Sequence, residues 1–467
     1  MGSSVMPLLL PALLLPGASA DLPLECQEIN NHHPTLPECT EDDIRFRDDT
    51  IVVRGEVTCT LSRIAEDVPE RALSRLEDVA NGWRLGAPLL LEEGARLHLH
   101  GSGAGGDVDL LRLRSDSDEF VDIRAEWGSI DIRATRIVGW DTRHDAPDQD
   151  HDDGRAYIHV RSFKDGDRAR ESRMDIADSE LSHLGYFGGS AYGLSWRVDD
   201  TGSSGEDSPV FDEVEVYGTV RNSHIHHAYY GIYSWGALCM EIVGNELHDN
   251  VMYGIDPHDN SDHLLIASNY VHHNGQHGII CSKNCDHLVI RNNISAHNAN
   301  HGIMLHMNVT DSVVESNRVH GNGSCGIAVF ESHRNLVVGN DSFDNETGIR
   351  VYRGSVDNHF EDNVLHDNES GLYFSDGADD NVAVHNILFD NDDDLDGDRL
   401  RSQDVDDNSF ERIDGHDHPP GEDGVPLDQD ARPPRFFTDD PIYRVIRATT
   451  VPPLHHPDVA VDAVPGK

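Results

Sequence analysis

A glycine followed by Ile or Leu returns at Gly231, Gly254, Gly278, Gly302, Gly326, Gly348 and Gly371, in steps of 23, 24, 24, 24, 22 and 23 residues. A column of Asn keeps the same period at Asn250, Asn274, Asn298, Asn322, Asn345, Asn368 and Asn391. Between the columns run short apolar stretches such as Leu264-Leu265-Ile266, Leu288-Val289-Ile290 and Leu336-Val337-Val338. Each is too short for a helix, is rich in branched residues and ends near Asn, Asp or Gly, as strands do. One unit of this length cannot bury its apolar face without its neighbours, so the period marks a solenoid. Leucine-rich repeats share the length but need Leu columns that are absent. The pattern predicts an all-β parallel β-helix, with three short strands and three turns per coil and coils about 4.8 Å apart. The Asn columns read as turn residues stacked into hydrogen-bonded ladders.

Four segments follow from composition. Residues 1–20 read as a signal peptide: an apolar run from Pro7 to Pro16 precedes Ala18-Ser19-Ala20, although Met1 to Met6 carry no Lys or Arg. Residues 21–82 form an N-terminal segment, with a helix-like stretch from Glu66 to Val79 expected to cap the solenoid. Residues 83–391 form the β-helix, with loop insertions near Asp145–Gly154 and Thr201–Asp207. Residues 392–467 are an acidic, Pro- and Gly-rich tail or cap, in which Ile442 to Val451 can still dock as a strand. No other stretch is apolar enough to span a membrane, so a secreted or periplasmic monomer is expected. The seven Cys fit an oxidising compartment. Cys26 and Cys39 are candidates to tie down the N-terminal segment, and Cys281 and Cys285 flank one turn.

Acidic residues number 85 against 36 basic, a net charge of −49, and only Lys164, Lys283 and Lys467 are lysines. Such a surface suits high salt, where the Debye length shrinks to roughly 3 Å at 1 M. It argues against nucleic acid as a partner.

Aligned on their Gly, the coils depart from a plain ladder. Two residues on stand Tyr233, Asp256, Ile280, Met304, Ala328, Arg350 and Tyr373; four on stand Trp235, His258, Ser282, His306, Phe330, Tyr352 and Ser375. Five on stand Gly236, Asp259, Lys283, Met307, Glu331, Arg353 and Asp376, and just before each Gly stand Tyr230, Tyr253, His277, His301, Cys325, Thr347 and Ser370. Strand alternation sends the Ile after each Gly inward and the residues two and four on outward. One ribbon therefore carries aromatics, His, carboxylates and cations, a lining suited to an extended anionic polysaccharide.

The run Tyr253-Gly254-Ile255-Asp256-Pro257-His258-Asp259, with His277-Gly278-Ile279-Ile280 and Gly302-Ile303-Met304-Leu305-His306, resembles the mannuronan C-5-epimerases that act on alginate. The likeness is strongest over 225–355, with echoes at Gly154-Arg155-Ala156-Tyr157-Ile158 and Ala191-Tyr192-Gly193-Leu194. It implies a right-handed parallel β-helix and an isomerase that inverts C-5 of mannuronate within the polymer. It also implies His258 as the base, Asp256 as the group that orients the imidazole or holds its protonated form, and Tyr253 or water as the acid. Where members of the periplasmic branch carry an Arg, this chain has Lys283 as the carboxylate neutraliser, without the bidentate fork. Tyr230, Tyr233, Asp259, His277, His306, Glu331, Arg350 and Arg353 are the candidate substrate-binding residues.

Each has a plainer alternative: Lys283 paired with Asp259 at the surface, Arg350 and Arg353 balancing local Asp, and His277, His301 and His306 as ladder residues among 30 His. The turn histidines His248, His272, His320 and His366 read as structural. No metal is expected, since no second pair accompanies Cys281 and Cys285 and no calcium-binding repeat is present, although a Ca²⁺ or Na⁺ requirement stays open. A polyuronate lyase would use the same Tyr, His and cation, and a non-catalytic polysaccharide-binding β-helix would keep the same groove.

Overall fold

In a computed structural model, residues 22–117, 119–189, 191–199, 208–405 and 408–410 are described. The predicted export signal, the insertion at 201–207 and most of the acidic tail, with Ile442 to Val451, lie outside them. The strands join three long sheets of 15, 12 and 16 strands, in which each strand pairs mostly with its counterpart one coil away. Pairing along the stack is parallel, and the register keeps like over like: Ile232, Ile255, Ile279, Ile303 and Ile327 lie in one row. All five are fully buried, so the interior is a continuous apolar column. Each such side chain contributes roughly 1.5–3 kcal/mol of burial. This is the predicted all-β parallel β-helix.

The Gly column has a steric cause. A Cβ on Gly254 would come within 2.3 Å of Val271 and 2.7 Å of the Gly278 carbonyl oxygen, so the turn admits no side chain there. The Asn column forms the expected ladder. Asn250 donates Nδ2–H to Asn274 Oδ1 at 2.8 Å, Asn274 to Asn298 at 2.9 Å and Asn298 to Asn322 at 3.0 Å. A second ladder runs parallel through Asn245, Asn269, Asn293 and Asn317, at 3.0, 2.9 and 2.9 Å. Both are buried, and each amide also reaches a backbone group, which satisfies turns that water cannot enter.

The N-terminal part differs from expectation. Residues 66–79 are turns and a strand, Leu73–Arg75, and the helix lies earlier, at Leu61–Ala65. Thr60 caps it, its hydroxyl accepting from the Arg63 N–H at 3.3 Å, and Pro69 stands where the chain would have to continue as helix. Strands Thr50–Arg54 and Thr58–Thr60 already pair into the long sheets, ahead of residue 83. Cys26 and Cys39 do tie down this segment, each to a different partner: Cys26 to Cys239 and Cys39 to Cys59. The helix Leu24–Asn31 lies against the side of the solenoid. There Asn30 Nδ2 donates to the Cys239 carbonyl at 2.7 Å, and Arg173 Nη1 to the Ile29 carbonyl at 3.0 Å. Cys281, Cys285 and Cys325 are free and buried.

Candidate functional site

The 15-stranded sheet carries the groove. Its floor is the column two residues after each Gly: Tyr233, Asp256, Ile280 and Met304 are 4%, 1%, 4% and 6% exposed. These side chains point away from the interior column, and Ile280 and Met304 form a separate apolar cluster with Cys325 and Ala328. One side is a stack of rings from the column before each Gly. Tyr192 lies 4.8 Å from Tyr230, Tyr230 5.0 Å from Tyr253, Tyr253 5.2 Å from His277 and His277 4.9 Å from His301. The other side is the column four after Gly, where His258 stacks on Trp235 at 5.5 Å and 8°. The depression between them has a volume of about 350 Å³.

Strand Ile255–His258 delivers the central groups. Pro257 has no N–H, and the register to the next coil steps from Ile255–Ile279 directly to His258–Ser282. Asp259 then turns sharply, with φ of 26°, a conformation Asp tolerates better than most residues. The turn folds its carboxylate back under the imidazole, where Oδ2 meets His258 Nδ1 in a very short contact. Asp259 is fully buried, so its carboxylate is not open to substrate. The hydrogen bond to Nδ1 thus comes from Asp259, while the Asp256 carboxylate acts on the imidazole through its charge.

With Nδ1 engaged, the free nitrogen of His258 is Nε2, and the side chain is 23% exposed. Burial lowers the His258 pKa, but the Asp259 hydrogen bond and the Asp256 and Asp259 carboxylates outweigh it, and the net shift is upward. Burial lifts the Asp256 pKa to about 7, with His258 opposing and Asp259 adding to the shift. Its Oδ1 has no hydrogen-bond partner. Burial, then the Asp256 charge, pushes Tyr253 up to about 12, and the same two causes raise Tyr230 and Tyr233 further.

His277 and His301 are more than stacked rings. His277 Nδ1 accepts the His301 backbone N–H at 3.2 Å, and His301 Nδ1 accepts that of Cys325 at 3.2 Å. Burial, then the neighbouring histidine, brings the His277 pKa down to about 3, so the ring is neutral and its Nε2–H is a donor at the groove. His306 also lines the depression, its Nδ1 lying 3.3 Å from Ser282 Oγ.

Of the predicted residues, Tyr230, Tyr233, Tyr253, Asp256, His258, His277 and His306 line one depression. Lys283 and Glu331 do not; they line an adjoining one with Asn284, Met307, Asn308 and His333. The reason is local: the fifth position after Gly has left the strand, with φ of 65° at Lys283, 45° at Glu331 and 59° at Arg353. Lys283 still lies near enough to act electrostatically on His258 and His306. Arg353 is exposed and paired with Asp376 at 3.0 Å, the charge-balancing alternative. Arg350 lies over Tyr352 and Tyr373, at 4.7 and 5.2 Å, beyond the depression. Tyr192, Trp235, Ile280, Ser282 and Met304 line the groove without having been predicted as site residues. Arg197 is a further addition, its guanidinium 4.6 Å from the Trp235 ring centre. The alignment that found His258 finds it too when extended to Gly193, since Arg197 stands four residues on.

Fold and site together define a parallel β-helix protein with an aromatic groove and a carboxylate–histidine pair in its wall. A family model described as periplasmic copper-binding protein (NosD) matches residues 213–405. The mannuronan C5-epimerase AlgG of Azotobacter vinelandii is 31% identical over 207 residues, 44% of this chain and 36% of that protein. The mannuronan C5-epimerase of Pseudomonas aeruginosa is 31% identical over 214 residues, 44% of this chain and 34% of that protein. The match thus spans about a third of the length of these relatives. A crystal structure of the periplasmic alginate epimerase AlgG superposes with a TM-score of 0.66 at 24% identity, covering 78% of this chain and 85% of that one. The resemblance to mannuronan C-5-epimerases read from the Tyr253–Asp259 run is borne out. Among the described residues no helix is long and apolar enough to cross a membrane.

Proposed function

We propose that this chain is an isomerase that inverts C-5 of mannuronate residues within polymeric alginate. The observation that carries the reading is His258, backed by the buried Asp259 and standing beside Asp256 in a groove lined by tyrosines. Epimerisation removes a weakly acidic proton next to a carboxylate and returns one to the opposite face. His258 Nε2 takes the C-5 proton, and Asp259 holds Nδ1–H and stabilises the imidazolium as it forms. Charge then develops on the uronate carboxylate. Protonated Asp256, whose pKa of about 7 keeps a proton available near neutrality, shares it with that carboxylate, and the Nε2–H of His277 donates to it. Lys283 adds positive potential from the adjoining depression. Tyr253, on the opposite wall, supplies the new proton at C-5, and the aromatic rings hold the sugar units.

The described groove groups come from one chain, so a monomer suffices. Two disulfides support a secreted or periplasmic setting. No step asks for a metal ion; a Ca²⁺ or Na⁺ effect would act on the polymer's charge.

The test is proton NMR of polymannuronate incubated with the protein in D₂O. Guluronate signals carrying deuterium at C-5 are expected, and His258→Ala should abolish them while polymer binding stays. Unsaturated chain ends in their place would make the protein a lyase. Binding without turnover would make it a polysaccharide-binding protein.

A further inference from the structure

Outside the groove, the outer face of the 16-stranded sheet carries histidines in register, His224 across from Glu246 and His226 across from His248. Much of this array is ring stacking, with His226 on His248 at 5.2 Å and His248 on His272 at 4.9 Å. At one place stacking gives way to converging donors. Nε2 of His224 lies 2.5 Å from Nε2 of His248, and the Glu246 carboxylate completes a set whose ligand atoms all fall within 4.8 Å of one another.

The outer nitrogen of His248 is already taken. Its Nδ1 meets Asp249 Oδ2 at 2.6 Å, which places the proton on Nδ1 and aims the Nε2 lone pair at His224. Two facing imidazole nitrogens share at most one hydrogen between them, and a cation relieves that opposition. An imidazole backed by a carboxylate on one nitrogen and facing two further donors with the other is how proteins present histidine to a metal.

We propose that His224, Glu246 and His248 form a binding site for a divalent transition-metal ion, with Zn²⁺ the ion best suited to two imidazoles, a carboxylate and a water. Zn–N bonds of about 2.0–2.1 Å in tetrahedral geometry need the nitrogens roughly 3.3 Å apart, so the two rings part slightly on loading. His224 comes from one coil and Glu246 and His248 from the next, so the ion bridges neighbouring coils. Glu246 Oε1 also lies 3.3 Å from His272 Nε2, a contact that a bound ion would compete with. Of the other clusters, the Asp131 carboxylate beside His98 and His100 is shared with the Arg133 guanidinium at 2.8 Å, and His263, Asp286 and His287 lie in an open turn.

Isothermal titration of the metal-stripped full chain with ZnCl₂ should show one site that His224→Gln and His248→Gln each weaken at least 100-fold. His98→Gln should leave it unchanged. Zn²⁺ should also raise Tm in the parent and not in the two variants. Co²⁺ substitution should give tetrahedral absorption bands in the parent, which decides the matter even if a variant fails to fold. Equal Zn²⁺ binding in parent and variants, or a parent without a stoichiometric site and without these bands, overturns the proposal.

Discussion

His258 works through what lies behind it. The Asp259 carboxylate fixes which imidazole nitrogen carries the proton, so loss of its charge leaves the ring in place but in the wrong tautomer. Asp259→Asn should therefore lower kcat roughly 10²–10⁴-fold with little change in KM, by analogy with buried carboxylate–histidine pairs in hydrolases. It should also move the acid limb of the pH–rate profile to lower pH, because an upward influence on the His258 pKa is removed. A limb that stays put would show that Asp259 does not act through His258. Asp256 makes a separate prediction. Its pKa is raised from 3.8 to about 7 by burial, so the folded state holds a proton that the unfolded chain releases. Stability from this group is full below pH about 4 and is lost as pH rises through about 7, up to about 4 kcal/mol for a shift of this size. Asp256→Asn should flatten that part of the stability–pH curve, measured as denaturant midpoints from pH 4 to 8; an unchanged slope would place the titration elsewhere.

At the scale of the coil, the Asn ladders set the cost of disorder. Asn298 Oδ1 accepts from Asn274, and its Nδ2 donates to Asn322 and to the Val271 carbonyl, all buried. Asn298→Ala strands several of these partners and should cost about 1–3 kcal/mol or more, read as a lower urea midpoint. Asn308→Ala removes an exposed contact with Asn284 and puts Ala at a left-handed φ of 63°, so it should cost about 1 kcal/mol, less than the buried ladder change. Equal effects would mean that the ladders are ornament. Much of this element was legible in the sequence: the Gly column, the apolar rows and the Asn250 ladder come straight from the period, because each coil repeats the same steric problem. The Asn245 ladder keeps the same spacing and was readable in the same way. Asp259 was not, because its role depends on a turn that bends the carboxylate back beneath its neighbour, which residue spacing does not encode. Nor was the position of Lys283 and Glu331, since alternation along a strand says nothing of where the strand ends. Arg197 was readable at the same offset from Gly193, but the 38 residues from Gly193 to Gly231 break the period that set where the alignment began.

For the whole molecule, charge and topology dominate. A net charge of −49 repels itself and any polyuronate until salt screens both. Raising NaCl from 0.1 to 1 M cuts the Debye length from about 10 to 3 Å, so Tm and polymer affinity should both rise. A falling Tm would show that specific ion pairs outweigh the net repulsion. Topology acts on assembly. A solenoid of this kind can grow coil upon coil from any nucleus, but the bond between Cys26 and Cys239 joins residues 213 positions apart. The helix bearing Cys26 meets Arg173 on an earlier coil, but its docking is complete only once the coil bearing Cys239 exists. A chain made from its N-terminus must therefore leave this helix partly undocked while several coils form, and only then bolt it to their flank. The disulfide acts as a latch that can close only after the coil carrying Tyr230, Tyr233 and Trp235 has formed.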